Sequence, residues 1–264
     1  MRWQSGNRLV RADADGDSGS MGSIVWGWDI AAVYDTVYAA GATPDALDPM
    51  VEALVGLSAD GPALELAVGT GRVALPLSAR SVPVHGIELS PHMAERLRGK
   101  PGAEAVPVTV GDMTTVRLPR TFRLVYLVAN TIMNVTTQED QEMVFRNAAA
   151  HLEPGGRFVV EVVVPQPHCI AHHDKGRVFA LDPDHVGIET FDDPVGQIAW
   201  SHHWMDVDGR LVKHSAPYRY VWPPELDLMA KLAGLGLEHR WAGWGRDPFE
   251  ADSPAHVSVY AKPH

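Results

Sequence analysis

From residue 63 onward, blocks of apolar residues of strand length alternate with blocks of helical period, the rhythm of a doubly wound α/β sheet. Leu64-Glu65-Leu66-Ala67-Val68 reads as a short strand that runs into the turn Gly69-Thr70-Gly71. Strands are predicted over 82–89, 105–110, 122–129 and 157–164, with helices over 91–98 and 137–152 between them. The stretch 157–164 is continuously apolar except for Glu161, as expected of a parallel strand buried on both faces. Upstream, Ile30, Val33, Tyr34, Val37 and Tyr38 share one face of a helix ending near Gly41. A second helix is predicted from Thr43 to Leu57, with Pro44 suited to its first turn.

Residues 165–222 break this rhythm. The stretches 178–181, 186–191, 197–207 and 210–222 alternate like antiparallel strands, and Asp208-Gly209 is a hairpin turn signal. They predict a β-rich insertion over the edge or mouth of the main sheet. Pro223-Pro224 then opens a helix through Leu235, and 237–244 and 256–261 supply closing strands. Residues 1–20 are polar and aperiodic and read as a disordered leader, with Met21 as an alternative start. The remainder, 21–264, reads as one domain.

Composition narrows the function. With 264 residues and 45% hydrophobic content the chain fills one α/β domain, and its net charge of −11 lacks the basic clusters that nucleic acid or an anionic membrane requires. A small-molecule partner is the expectation. A single cysteine, Cys169, excludes an intrachain disulfide and suits a cytoplasmic location. No apolar run approaches the length of a membrane span. The flat antiparallel insertion offers an edge for pairing into a homodimer.

The glycine turn is the place for a nucleotide-like cofactor, since Gly69 and Gly71 permit close backbone approach and the helix that follows directs N–H groups at the ligand. Gly69-Thr70-Gly71-Arg72-Val73-Ala74 also fits the pattern of dinucleotide sites. Glu65 separates the two: it would repel a pyrophosphate and pair with the cationic amino-acid end of S-adenosylmethionine (SAM). An exposed strand-end glutamate is the plain alternative.

Together with Glu88 in Gly86-Ile87-Glu88-Leu89-Ser90, Gly111-Asp112-Met113 after the third strand, and Leu152-Glu153-Pro154-Gly155-Gly156-Arg157 before the fifth, the chain resembles a class I SAM-dependent methyltransferase of the small-molecule type, with Ala67 in place of the family's usual leading glycine. The resemblance implies a Rossmann-like seven-stranded sheet whose last strand is antiparallel. It also implies a SAM site formed by Tyr34, Glu65, Ala67, Gly69, Gly71, Arg72, Glu88, Leu89, Asp112, Met113, Ala129, Asn130 and Asn134. In that site Glu88 would hold the ribose hydroxyls, Asp112 the adenine amine, and Met113 the ring. The implied reaction is methyl transfer to an O, N or C atom of a flat or hydrophobic acceptor, in secondary metabolism. An NAD(P)-dependent oxidoreductase would also use Gly69, Gly71 and Glu88; a non-catalytic SAM-binding protein is the other alternative.

Methyl transfer needs an oriented nucleophile, and a base only where the acceptor must lose a proton. The base candidates are His203, His202, His168 and Glu161. His202 and His203, adjacent on one predicted strand, point to opposite faces, so one of them faces inward and the two cannot chelate a metal together. Glu161 is either a structural acceptor for an Arg or Tyr or a group facing the acceptor. Asn130-Thr131-Ile132-Met133-Asn134 either positions SAM or the acceptor or simply caps a turn. Methyltransferases that bind catechols through magnesium place acids after strands four and five; here Asn130 and Pro165 stand there, and no catalytic metal is expected. Trp200, Trp204, Tyr218, Tyr220 and Trp222 line the acceptor pocket or form the core of the insertion.

Overall fold

In the computed structural model, which describes residues 31, 34–36, 43–166, 176–207 and 209–264, one seven-stranded sheet carries the chain and a four-stranded antiparallel sheet stands beside it. The predicted leader, Met21 and most of the first helix lie outside the described residues, though residues 34–36 are helical. The main elements are α1 (Pro44–Ser58), β1 (Ala63–Leu66), α2 (Ala74–Ala79), β2 (Val84–Glu88), α3 (Pro91–Arg98), β3 (Val108–Val110), β4 (Phe122–Leu127), α4 (Gln138–His151) and β5 (Leu152–Val163). The insertion contributes β6 (Gly176–Asp182), β7 (His185–Asp193), β8 (Ile198–Val207) and β9 (Arg210–Arg219); α5 (Pro223–Leu232), β10 (Gly236–Trp241) and β11 (Ala255–Ala261) close the chain.

The main sheet runs β10-β11-β5-β4-β1-β2-β3, and β11 is antiparallel to both of its neighbours, as the resemblance implied. Period-two alternation sends Leu64 and Leu66 of β1 and Val160 and Val162 of β5 to one face, packed with α4 and α5. Ala63, Tyr126 and Val159 go to the other face, packed against Leu47, Val51 and Leu54 of α1. The sheet is therefore covered on both sides and leaves its carboxyl edge for a ligand. β5 begins five residues earlier than expected. Pro154-Gly155-Gly156 reads as a turn, but Phe122 pairs with Leu152, and Gly155 N–H donates to Lys262 O while Lys262 N–H donates to Gly156 O.

The four inserted strands follow one another in order, each antiparallel to the next. A buried guanidinium at the end of β9 fastens them to the main sheet. Arg219 is 4% exposed and donates to Gln141 Oε1 of α4 at 2.5 Å and to Glu225 Oε1 of α5 at 2.6 Å. Burying such a charge is tolerable only when it is paired and hydrogen-bonded, so this network fixes how the inserted sheet meets the sheet edge.

Candidate functional site

A cavity of about 800 Å3 opens between the carboxyl edge of the main sheet and the inner face of the inserted one. On the first side β1 gives way to Ala67, whose φ of 55° is left-handed, and the chain turns through Gly69 and Gly71. Gly71 has a φ of 82°, and a Cβ there would meet Leu97 at 2.9 Å, so only glycine fits between the turn and α3. Helix α2 is only six residues long, so the helix-terminus contribution expected from the sequence is small.

Glu88 ends β2 facing the turn. Gly69 N–H donates to its Oε2 and Ser90 N–H to its Oε1, both at 2.8 Å. Burial raises its pKa, and those two N–H groups oppose the rise. Each carboxylate oxygen accepts more than one hydrogen bond, so both retain capacity for a ligand hydroxyl. Asp112 Oδ1 accepts from Thr114 N–H at 2.8 Å and from Thr114 Oγ1 at 2.7 Å, which sets the carboxylate at the cavity wall beside Met113. Tyr34, Ala67, Gly69, Arg72, Leu89, Ala129, Asn130 and Asn134, all expected at the cofactor, also line the cavity.

Glu65 does not. Alternation puts it on the α1 side of the sheet, opposite Tyr126 in the β1–β4 register, and the Tyr126 hydroxyl donates to its Oε2 at 2.9 Å. Burial pushes this carboxyl up to about 8, against the pull of Tyr126 and Arg72. The structure thus corrects both readings of Glu65: it is neither an exposed strand end nor part of the cavity wall.

Glu161 is a structural acceptor, one of its two readings, though not for the donors expected. It is absent from the cavity lining, and its oxygens accept from Ala129 N–H at 2.8 Å and from the Trp244 indole N–H at 2.7 Å, not from an Arg or Tyr. These contacts, with Val163 N–H donating to Asn130 Oδ1 at 2.8 Å, hold Ala129 and Asn130 at φ values of 57° and 61°. Two successive left-handed residues without glycine cost about 1–3 kcal/mol each, and their surroundings must impose them. Glu161 therefore shapes the turn at the cavity floor from outside the cavity lining.

On the second side the cavity is walled by alternate residues of the inserted strands: Arg177 and Phe179 of β6, Glu189 and Phe191 of β7, Ser201 and His203 of β8, and His214, Ala216 and Tyr218 of β9. Arg177 Nε donates to Glu189 Oε2 at 2.7 Å, and the Tyr218 hydroxyl donates to Oε1 of the same carboxylate, which with burial pushes the phenol's pKa up. His203 faces inward, with Ser201 Oγ 2.7 Å from its Nε2 and His185 Nε2 2.9 Å from its Nδ1. Burial, with His185 and His214 close by, lowers its pKa to about 4.

His202 faces the opposite way, between Trp200 and Trp204 and bonded to Ser215 Oγ at 2.9 Å, so it is corrected from base candidate to outer-face residue. Trp200, Trp204 and Trp222 are likewise absent from the lining, whereas Tyr218 and Tyr220 are present. His168 lies outside the described residues. Sequence reasoning missed Arg177, Glu189, Ser201 and His214. Once His203 is known to face inward, period-two alternation and the register Glu189–Ser201 and His203–His214 identify three of the four, and pairing of Arg177 with Glu189 adds the last.

Residues 63–156 match a family model described as a methyltransferase domain. Over 99 residues, 37% of this chain and 39% of the relative, the sequence is 35% identical to dTDP-4-amino-2,3,4,6-tetradeoxy-D-glucose N,N-dimethyltransferase of Saccharopolyspora spinosa, so the match spans well under half of that protein. Among solved structures, the CcbJ methyltransferase of Streptomyces caelestis is similar over 89% of this chain and 96% of its own, with a TM-score of 0.79 and 36% identity. SAM-bound CalS10, an amino pentose methyltransferase of Micromonospora echinaspora involved in calicheamicin biosynthesis, aligns over 87% of this chain and 96% of its own with a TM-score of 0.66. At 21% identity that second likeness speaks for the fold alone.

Proposed function

Because this chain belongs to the SAM-dependent methyltransferase family, we propose that it transfers the methyl group of SAM to an amino nitrogen of a small, hydroxylated acceptor of the amino-sugar kind. One observation carries the reading: a single cavity joins the glycine turn, Glu88 and Asp112 to a polar wall of Arg177, Glu189, Ser201, His203 and Tyr218. Hydrogen-bonding groups interleaved with Phe179, Phe191 and Tyr220 suit a ring that bears hydroxyls on its edge and apolar faces above and below. The amino-sugar activity named for the Saccharopolyspora spinosa relative supports the choice of nitrogen.

The residues present fit the cofactor. We assign Glu88 to the ribose hydroxyls through the lone pairs left over from Gly69 and Ser90, Asp112 to the exocyclic amine of adenine, Leu89 and Met113 to the faces of that ring, and Arg72 to the cofactor's carboxylate. Bound SAM supplies a methyl carbon on a cationic sulfur, already a good electrophile. The chain's own work is then to orient the acceptor nitrogen, to exclude water and to take up a proton. Ser201 and His203 are the groups on the acceptor wall placed for the last step. Insertion residues 165–222 form the acceptor site in this reading, and the single cysteine supports a cytoplasmic setting.

The test incubates purified protein with SAM and a panel of amino sugars, amino acids, sugar alcohols and phenols, and reads the gain of one methyl by mass spectrometry. Transfer confined to amines supports the proposal; transfer to oxygen or carbon acceptors alone overturns the choice of nitrogen. Tight NADH binding without SAM binding, by calorimetry, overturns the assignment of the cofactor.

A further inference from the structure

An amine acceptor presents a proton problem that the cavity wall addresses. An amine that is protonated in water must lose one proton before its lone pair can attack. As the new C–N bond forms and the C–S bond breaks, leaving its electron pair on sulfur, the product nitrogen becomes cationic and sheds another proton. The site that takes these protons has to pass them on, because a buried imidazolium is costly.

We propose that Ser201, His203 and His185 form a proton exit leading from the acceptor wall to the outer end of the inserted sheet, which deepens the reading of the chain as an amine methyltransferase and rests on it. Ser201 and His203 line the cavity, whereas His185 does not. Ser201 Oγ lies 2.7 Å from His203 Nε2, and His203 Nδ1 lies 2.9 Å from His185 Nε2. One tautomer set satisfies the whole line. Ser201 O–H donates to His203 Nε2, His203 Nδ1–H donates to His185 Nε2, and His185 keeps its proton on Nδ1. A proton from the acceptor nitrogen enters at Ser201 Oγ as the hydroxyl proton moves to His203 Nε2. His203 then passes its Nδ1 proton to His185 Nε2, and His185 releases its own to water. No oxidant or second substrate is required.

The packing suits transfer. The two rings lie 5.2 Å apart at 8° to one another, and the Phe179 ring closes over both, 5.4 Å from His203 and 6.2 Å from His185. Gly187 makes that cover possible, since a Cβ there would meet Phe179 at 2.4 Å. His185 opens β7 next to the exposed residues 181–184, so the line ends at solvent. The charged and titratable groups around the line are Arg177 and Asp182 on β6, Glu189 on β7, His202 on β8, His214 and Tyr218 on β9, and Asp184 in the turn. Burial among other histidines keeps His203 neutral at pH 7, so it hands a proton on and does not store it.

The decisive variant is His185→Phe, which keeps a ring against Phe179 and His203 and removes the second half of the line. With an amine acceptor, kcat at pH 7 should fall by about tenfold to a hundredfold, at or below the lower end of what a positioned proton acceptor contributes because Ser201 and His203 remain, while KM for SAM stays unchanged. Added imidazole should restore part of the loss, and the variant should regain rate as pH rises because water then meets an acceptor already deprotonated. A merely structural role for His185 would move neither the imidazole response nor the pH profile. Parental turnover with a parental pH profile overturns the proposal. A second measurement is independent of turnover: ring-nitrogen NMR of the parent should show His203 protonated on Nδ1 and bare on Nε2 at pH 7, and the opposite tautomer overturns the line. A parent that methylates only oxygen would instead defeat the functional reading, whatever the variant does.

Discussion

Glu65 offers the sharpest test of the physical reading, because the sequence assigns it to the cofactor and the structure assigns it to the core. It is 4% exposed, its partner is Tyr126, and burial pushes its carboxyl up to about 8 from an ordinary 4.5. Between those values the folded chain holds a proton that the unfolded chain has lost, so stability falls as pH rises through that window. Each unit of difference corresponds to about 1.4 kcal/mol, so the loss from pH 5 to pH 8 is about 3 to 4 kcal/mol, a large part of a typical total of about 5–15 kcal/mol. Glu65→Gln has no such proton. Its absolute stability carries the separate cost of an amide near the Ala74 N–H, so the readout is the difference in pH slope between variant and parent. Urea unfolding at pH 5 to 8 should show the variant's midpoint gaining on the parent's by about 1 M, for a slope near 3 kcal/mol per molar. SAM affinity should be unchanged. Parallel stability curves would refute the argument and mean that Arg72 holds Glu65 ionised; a tenfold loss of SAM affinity would return Glu65 to the cofactor site.

Glu88→Ala should weaken SAM by about 1.5 to 3 kcal/mol, the worth of hydrogen bonds to a charged group, and an unchanged calorimetric affinity would remove Glu88 from the site. Ala67→Gly should raise thermal stability by up to about 1 kcal/mol by relieving a left-handed alanine, less the entropy that glycine adds to the unfolded chain; a destabilised variant would show that the backbone there is not strained. Glu161→Gln sets an amide N–H2 against the N–H of either Ala129 or Trp244, and should cost about 1–3 kcal/mol of stability in denaturant titration while the folded protein turns over at the parental rate. A folded but inactive variant would assign Glu161 to chemistry.

How much of this was legible in the sequence depends on whether the relevant partner lies nearby in the chain. Glu88 was readable because the last residue of a parallel strand faces the ligand edge whichever strands flank it. Asp112 and Gly69, just past the ends of β3 and β1, reach the same cavity edge. Glu65 and Glu161 were not, since each is claimed by a group far away in sequence: Tyr126 on a neighbouring strand for one, Ala129 and Trp244 for the other. The early start of β5 escaped notice because Pro154-Gly155-Gly156 is turn-like locally and becomes strand only when Phe122 and Lys262 supply the pairing.

The inserted sheet extends this distinction to the proposed acceptor wall. Alternation along β8 divides Ser201 and His203 from Trp200, His202 and Trp204 but does not say which set faces the cavity; in the structure Ser201 and His203 do, and Arg219 fastens the end of β9 to α4 and α5. With the sheet so oriented, Arg177, Glu189, Ser201, His203 and Tyr218 converge through cross-strand neighbours while remaining far apart in the chain. Under the proposed function, a change of acceptor would fall on side chains at alternate positions of β6 to β9. The glycine turn, Glu88 and Asp112, carried by a different sheet, are left as they are.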